Sequence, residues 1–320
     1  MVDGIFIIDK PAGWSSHDVV ARVRRILNER RVGHTGTLDP FATGVLVVLV
    51  GRATRLAQFV SGAEKEYEGV IRFGYATDTG DSTGTPRPGT HADGRVKAGT
   101  MAWSSEEIER ALAGLRGQIE QVPPMYSAKK LKGRKLYEMA RRGEEVERAP
   151  VTVTIHELEA VPVGGTLLRQ SEDGTCDLSV RVVCSAGTYV RTLAESVGER
   201  LGVAAHLASL RRTRAGRFKI EDAQRLETFN EMIKQGASVR ALLLPPVAAL
   251  SELPFVHLTR EEARAARHGM QLRVEETSEA RCLDGQQVGM LDESGNLLAV
   301  GVYDARTGRL HPNVVLSPEK

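Results

Sequence analysis

The stretch GHTGTLDPFATG, residues 33 to 44, runs straight into the apolar run VLVVLV, residues 45 to 50. Six consecutive apolar residues, four of them valine, read as a strand buried on both faces. Ahead of it, glycines and threonines surround one carboxylate, Asp39, placed immediately before Pro40. Glycines let another backbone approach closely, and a loop carried by a rigid strand is where functional groups concentrate. On the residues alone, Asp39 reads either as a charge offered to a ligand or as the first residue of an Asp-Pro turn bonding its own backbone. The segment lacks the GK[ST] of a phosphate-binding P-loop and the GxGxxG of a dinucleotide turn. His34 and Asp39 have no partner at metal-ligand spacing, so no metal is expected.

Outward from this stretch, IFIID (5 to 9) reads as a short strand, PAGWSS as a turn, and HDVVARVRRILNERR as an amphipathic helix capped by Ser16. KEYEGVIRFG (65 to 74) alternates like a strand with one wet face, and a polar Gly/Pro/Thr loop, DTGDSTGTPRPGTHADG, follows it. SSEEIERALAGLRG opens on a capping pattern at Ser104 or Ser105, VTVTIHELEA and LSVRVVCS are strands, and TYVRTLAESVGERLG is a helix opened by Thr188. Helices and strands mix without a βαβ rhythm, which predicts an α+β fold on a mainly antiparallel mixed sheet. LLLPPVAALSELP, around 242 to 254, marks the expected boundary between residues 1–250 and 251–320. Beyond it, a short helix and a hairpin turning at SGN predict a small β-barrel.

The 320 residues carry 43 Lys+Arg against 41 Asp+Glu. Their distribution says more than the balance. Residues 251–320 hold 8 basic and 11 acidic residues, whereas ARVRRILNERR (21 to 31), SAKKLKGRK (127 to 135) and RRTRAGRFK (211 to 219) hold five basic residues each. One such run is ordinarily a solvated face; three favour a polyanionic partner such as RNA. Three cysteines without CxxC spacing suggest neither a disulfide framework nor zinc. No apolar run reaches membrane-spanning length, and acids replace the basic residues a secretory signal would carry in MVDGIFIIDK, so a cytoplasmic protein without membrane contact is expected.

KPAGWSSHDVV, GHTGTLDPFATGVL, EYEGVIRFG with TDTGD, PPMYSAKKLKGRKLYEMARRG, SAGTYVRTLAESVG and AHLASLRRTRAGRF occur in an order and spacing that resemble the TruB family, the bacterial tRNA pseudouridine-55 synthases. The resemblance covers about residues 3 to 225, with the GxLDPxATGxL motif the most specific part. The tail more weakly resembles the small RNA-binding barrel called a PUA domain. What the resemblance implies is a pseudouridine synthase fold and an enzyme that flips one uridine from the T loop of tRNA and rejoins its ring through C5 instead of N1. No atoms or electrons are exchanged, so no cofactor is expected. No obligate protein partner is implied, and a monomer is expected.

By resemblance Asp39 is the nucleophile, Tyr67 lies against the target base, and Arg191 pairs with the aspartate. By the same resemblance His34 and Tyr189 contact the flipped nucleotide, Leu207 is either a position near the base or a core leucine, and Lys10 with Pro11 supports the active-site loop or is structural only. The insertion from about 121 to 150, with Lys129 and Lys130, grips RNA. An ordinary aspartate, with a pKa of about 3.9, is ionised at neutral pH and suits a carboxylate nucleophile. Tyr189 and Arg191 diverge by about 200° on an ideal helix, so both reach one pocket only if the chain is still turning into the helix there. The competing reading is a non-catalytic tRNA-binding or folding module on the same scaffold, in which Asp39 caps a turn. The two differ in whether Asp39, Tyr67 and Arg191 converge.

Overall fold

The computed structural model describes residues 2–89, 101–131, 133–273 and 282–316. Among them, a mixed sheet of eleven strands forms the body. Its main path runs Gln224–Arg225, Gly4–Lys10, Thr43–Val50, Ala205–Ala215, Lys65–Phe73, Cys176–Cys184, Val151–Ala160 and Gly117–Gln121. Two pairings on that path are parallel, Gly4–Lys10 with Gln224–Arg225 and Thr43–Val50 with Ala205–Ala215; the others are antiparallel. The α+β reading and the mainly antiparallel mixed sheet hold.

The apolar run is buried on both faces, as its composition demands. Leu46, Val48 and Val50 pack with Phe6, Ile8 and the helix Ser16–Leu27 on one side, while Val45, Val47 and Leu49 pack with Ile5, Ile7 and Phe218 on the other. Each fully buried side chain of this kind contributes about 1.5–3 kcal/mol of transfer free energy. Strand Lys65–Phe73 alternates between buried and wetter positions along its length, with Lys65, Tyr67, Gly69, Ile71 and Phe73 buried.

Two helix starts differ from the sequence reading. Ser15, not Ser16, caps the first helix: its hydroxyl accepts from the Asp18 amide and Asp18 returns the bond in a capping box. Ser16 is thereby free to hold the Asp39 loop, accepting from the Leu38 amide at 2.9 Å and donating to the Leu38 carbonyl at 3.1 Å. The helix stops at Leu27, where Asn28 turns left-handed at φ 47°, so Glu29–Arg31 are not helical. Thr188 likewise does not cap its helix; its hydroxyl donates to the Ser185 carbonyl, and Tyr189 precedes the first helical residue, Val190.

The C-terminal residues form a five-stranded sheet ordered Phe255–His257, Gln287–Leu291, Leu297–Asp304, Arg309–Val315, Leu272–Arg273. This curled sheet is PUA-like. The hairpin between Gln287–Leu291 and Leu297–Asp304 closes at Asp292, whose carboxylate accepts from the Ser294 and Asn296 amides. Leu291, Leu297, Val300 and Leu316 share one apolar cluster with Leu56, Phe59 and Leu250, which seats this sheet against the body.

Gly44 sits at φ 99°, where the Asp39 loop enters its strand, and a Cβ there would lie 2.2 Å from the Arg212 carbonyl oxygen. Gly44→Ala should cost well over about 1 kcal/mol in urea unfolding, because strain and overlap add. Gly13→Ala is the control: φ is 82° but nothing lies within 4 Å of the added carbon. It should cost about 1 kcal/mol. Equal losses would show that the close approach to Arg212 is immaterial.

Candidate active site

The turn that carries Asp39 is closed by backbone, the Ala42 amide donating to the Asp39 carbonyl at 3.1 Å. Its carboxylate is therefore released from the Asp-Pro turn and pairs elsewhere: Arg191 Nε lies 2.9 Å from Asp39 Oδ2. Arg191 is 5% exposed, and its remaining donors are divided among other segments. Nη1 donates to the Thr79 carbonyl at 2.7 Å and faces Asp81 Oδ2 at 3.5 Å, while Nη2 donates to the Tyr126 carbonyl at 2.6 Å. Asp81 is itself fixed, its Oδ1 accepting from the Thr79 hydroxyl and from the Thr83 amide and hydroxyl.

The loop is also held from behind. Lys10 is fully buried and its Nζ donates to the carbonyls of Pro11, Trp14 and Pro40, at 2.9, 2.6 and 3.3 Å. The Gly13 amide adds a second bond to the Pro40 carbonyl. Thus the DKPAGWSS turn and Ser16 clamp both sides of Asp39 without touching its carboxylate.

A cleft of about 250 Å³ opens over the carboxylate. Asp39, Tyr67, Tyr189, Arg191 and Lys129 all line it, with Lys65, Ser127, Leu210 and Arg212. Tyr189 reaches it because its backbone is extended, φ −98° and ψ 103°, so the divergence expected of helical neighbours does not apply. That conformation is held by Gln121, whose amide side chain accepts from the Tyr189 N–H at 2.9 Å and donates to its carbonyl at 3.2 Å.

Three further residues lie outside the cleft lining. Leu207 is fully buried in the core and does not line the cleft; Leu210 does. A β-bulge between Leu207 and Ser209 shifts the register, so a simple alternation from Leu207 points to the wrong face. His34 ends the short strand Val32–His34 and lies outside the cleft lining, its ring edge-on to His17 at 5.5 Å. Lys130 is exposed on the small hairpin beside Lys129; Lys132 falls outside the described residues.

Three of the five cations in the basic run 211–219 are engaged within the protein, while Arg217 and Lys219 are exposed. Arg211 pairs with Asp9 and Arg214 with Glu64, while Arg212 is 1% exposed and donates to the Val45 and Gly36 carbonyls. Lys65, Gln121, Leu210 and Arg212 are site residues that the sequence reading missed. Period-two spacing from Tyr67 would have found Lys65, and cross-strand register pairs Arg212 with Tyr67. Gln121 carries no sequence signal.

Charge in the cleft is set by burial. The walls push the Asp39 carboxyl above the ordinary carboxylate value, Arg191 opposes this, and Asp81 adds to it. Arg191 thus favours the charged form of Asp39 against its surroundings. Burial pushes the Tyr67 phenol up, against the nearby Arg212 guanidinium, which pulls it down. Burial also lowers Lys10 and Lys65 to about 8 each. Among the described residues no cluster of three or more His, Cys, Asp or Glu is placed to hold a metal ion. No helix among them is long and apolar enough to cross a membrane.

Residues 24–190 match the TruB family pseudouridylate synthase (N terminal domain), and residues 191–251 match the tRNA pseudouridylate synthase B C-terminal domain. The chain belongs to the TruB family. A protein of Geobacillus thermodenitrificans called tRNA pseudouridine synthase B is 41% identical over 97% of this chain and 98% of its own. One of Bacillus thuringiensis with the same name is 42% identical over 86% and 85%. Among solved structures, a chain of a Cbf5-Nop10-Gar1 complex superposes with a TM-score of 0.71 at 26% identity, over 98% of this chain and 85% of that one. A chain of an H/ACA RNP bound to a substrate RNA containing 2′-deoxyuridine gives 0.70 at 25%, over 98% and 85%. With this membership the protein is an enzyme, a pseudouridine synthase. The seam between the two TruB matches falls between Val190 and Arg191, so the Asp39–Arg191 pair joins one to the other.

His34 gives the site a measurable pH signature. Burial, with His17 and Arg212 nearby, lowers its pKa from 6.5 to about 4, and its Nδ1 is buried without a hydrogen-bond partner among the described residues. Between those values the unfolded chain binds the proton and the folded one does not, so stability is lost as pH falls from about 6.5 towards 4. His34→Gln should flatten that part of the curve of urea midpoint against pH. An unchanged slope would show that His34 protonates freely in the folded protein.

Proposed function

We propose that this enzyme converts uridine 55 in the T loop of tRNA to pseudouridine, with Asp39 as the nucleophile. The observation that carries the reading is the Arg191–Asp39 ion pair at 2.9 Å on the floor of a cleft also lined by Tyr67 and Tyr189. Support for the substrate comes from the relatives named tRNA pseudouridine synthase B.

The cleft is sized for a single nucleoside, so a base stacked in a folded loop must be flipped out to enter. Unstacking costs a few kcal/mol, which contacts to the RNA backbone offset. Residues 121–150 supply candidates: Lys129 at the cleft rim, Lys130 beside it, and Tyr137 flanked by the Lys135 and Arg141 cations at 5.4 and 5.5 Å from its ring. In this reading residues 1–250 do the chemistry, and residues 251–320, net acidic, contribute shape-based contact to the RNA. The enzyme acts as a monomer in the cytoplasm.

The reaction is an isomerisation. Asp39 donates an electron pair to the nucleoside, the C1′–N1 bond breaks, and C5 forms the new bond to C1′ as the carboxylate leaves. The proton lost from C5 is balanced by one gained at N1. Arg191 keeps the carboxylate charged against its buried surroundings and fixes its direction. Tyr67, with a phenol raised by burial, is a hydrogen-bond donor and a stacking surface before it is a base.

Asp39→Asn keeps the volume and the backbone-closed turn but removes the nucleophile. It should abolish single-turnover pseudouridine formation at position 55 while leaving tRNA affinity within about twofold, since phosphate contacts elsewhere dominate binding. Normal yield from the Asn variant would overturn the nucleophile assignment and favour the non-catalytic tRNA-binding reading for this cleft. In the same assay Lys129→Ala with Lys130→Ala should flatten the dependence of log affinity on log salt by up to about 0.7–0.9 for each phosphate that the hairpin no longer holds. An unchanged slope would return the hairpin to bare surface.

A further inference from the structure

Arg212 is the largest side chain buried to less than 2% exposure, and among the described residues it joins no ion pair with a carboxylate. Its neighbours Arg211 and Arg214 on the same strand are both neutralised by acids. Arg212 instead spends its donors on carbonyls, Nε on Val45 at 2.7 Å and Nη2 on Gly36 at 3.1 Å. It lies directly opposite Tyr67 in the sheet, and both side chains line the cleft. Gly36, at φ 93°, borders the guanidinium at ordinary contact distance, an added Cβ standing 3.6 Å from Arg212 Nη1.

A buried cation without a counter-charge costs several kcal/mol of desolvation, and carbonyl dipoles recover only part of that. Such a cost makes sense where a negative charge is present for part of a reaction cycle and absent from the resting protein. The isomerisation has such a moment. If Asp39 attacks C1′, the electron pair of the C1′–N1 bond leaves with N1 and spreads over O2 and O4. If Asp39 adds at C6, the pair of the C5–C6 double bond moves towards C5 and O4. In both routes the uracil ring becomes negative next to Tyr67, and in both the charge is cancelled when C5 is bonded to C1′, its proton lost and N1 protonated.

We propose that Arg212 is a positioning residue for this reaction, holding the Tyr67 hydroxyl and the Gly36 turn against the base and supplying, through Tyr67, the positive charge that offsets the one the ring acquires. The proposal rests on the assignment of pseudouridine formation to this cleft. It gives one arginine of the third basic run a role inside the site.

The test is a mutant cycle between Arg212 and Tyr67 read by single-turnover pseudouridine formation at saturating enzyme, with tRNA affinity and thermal midpoint measured alongside. Arg212→Met removes the charge and keeps much of the length; Arg212→Lys keeps the charge and loses the fork. The Met variant should be slowed at least about hundredfold and the Lys variant about tenfold, with tRNA affinity within about twofold of wild type. In a Tyr67→Phe background the further loss from Arg212→Met should shrink to a few-fold, since the pair acts as one unit. Full activity of the Met variant overturns the proposal. So does a rate loss matched by weakened affinity, or the same loss with and without the Tyr67 hydroxyl. Should the Met variant not fold, the Lys variant carries the same comparison. A wild-type enzyme that makes no pseudouridine would instead fail the functional assignment, which separates the two.

Discussion

One guanidinium holds the site together. Arg191 divides its donors among the Asp39 and Asp81 carboxylates and the Thr79 and Tyr126 carbonyls. Those acceptors belong to three stretches far apart in sequence, and the helix Val190–Arg200 supplies the fourth side. A buried charge is tolerated only when its donors are all used in good geometry. None of the four segments can therefore shift without uncovering Arg191, and each inherits its position from the others. The polar DTGDST segment is explained by the same constraint: Thr79 and Thr83 saturate one oxygen of Asp81 so that the other faces Arg191.

The other buried cations are handled differently. Lys10, Lys65 and Arg212 are all surrounded by main-chain carbonyls and, among the described residues, have no carboxylate in direct contact. Carbonyl dipoles solvate a cation without cancelling its charge, so the cleft keeps a positive interior even though the whole chain is close to neutral. This arrangement opposes folding. The apolar strands that carry it, Thr43–Val50 above all, supply the burial that offsets it. That division of labour is common where a site keeps a local violation of packing rules for function.

The parts legible in the sequence are those that a period or a strongly specific motif encodes. The run VLVVLV is buried on both faces because six apolar residues in a row leave no wet side, and the alternation of KEYEGVIRF puts Tyr67 indoors. The convergence of Asp39 and Arg191 was legible only through the family motif, since nothing local ties residue 39 to residue 191. What was misread has physical causes. Leu207 and Leu210 are both apolar residues on one strand, and the bulge that decides which of them meets the cleft leaves no mark in composition. Ser15 and Ser16 are chemically equal caps, and the choice fell to the one whose neighbour was needed by Leu38. The run RRTRAGRFK reads as a phosphate stripe because charge counts ignore strand alternation, which sends Arg211 towards Asp9 and Arg212 into the core.

The strand Thr43–Val50 also couples the two sheets. Its first residues leave the Asp39 turn, and its last leads into Gly51–Leu56, whose Leu56 enters the apolar cluster that seats the C-terminal sheet. Arg55 adds a hydrogen bond to the Val315 carbonyl at the same contact. Eight extended residues span about 26 Å at 3.3 Å each, and this strand is buried on both sides along that length. A rod so packed does not bend to suit a partner. The strand therefore sets the distance between the Asp39 turn and Leu56, and the C-terminal sheet takes its place relative to the carboxylate by packing on that far end.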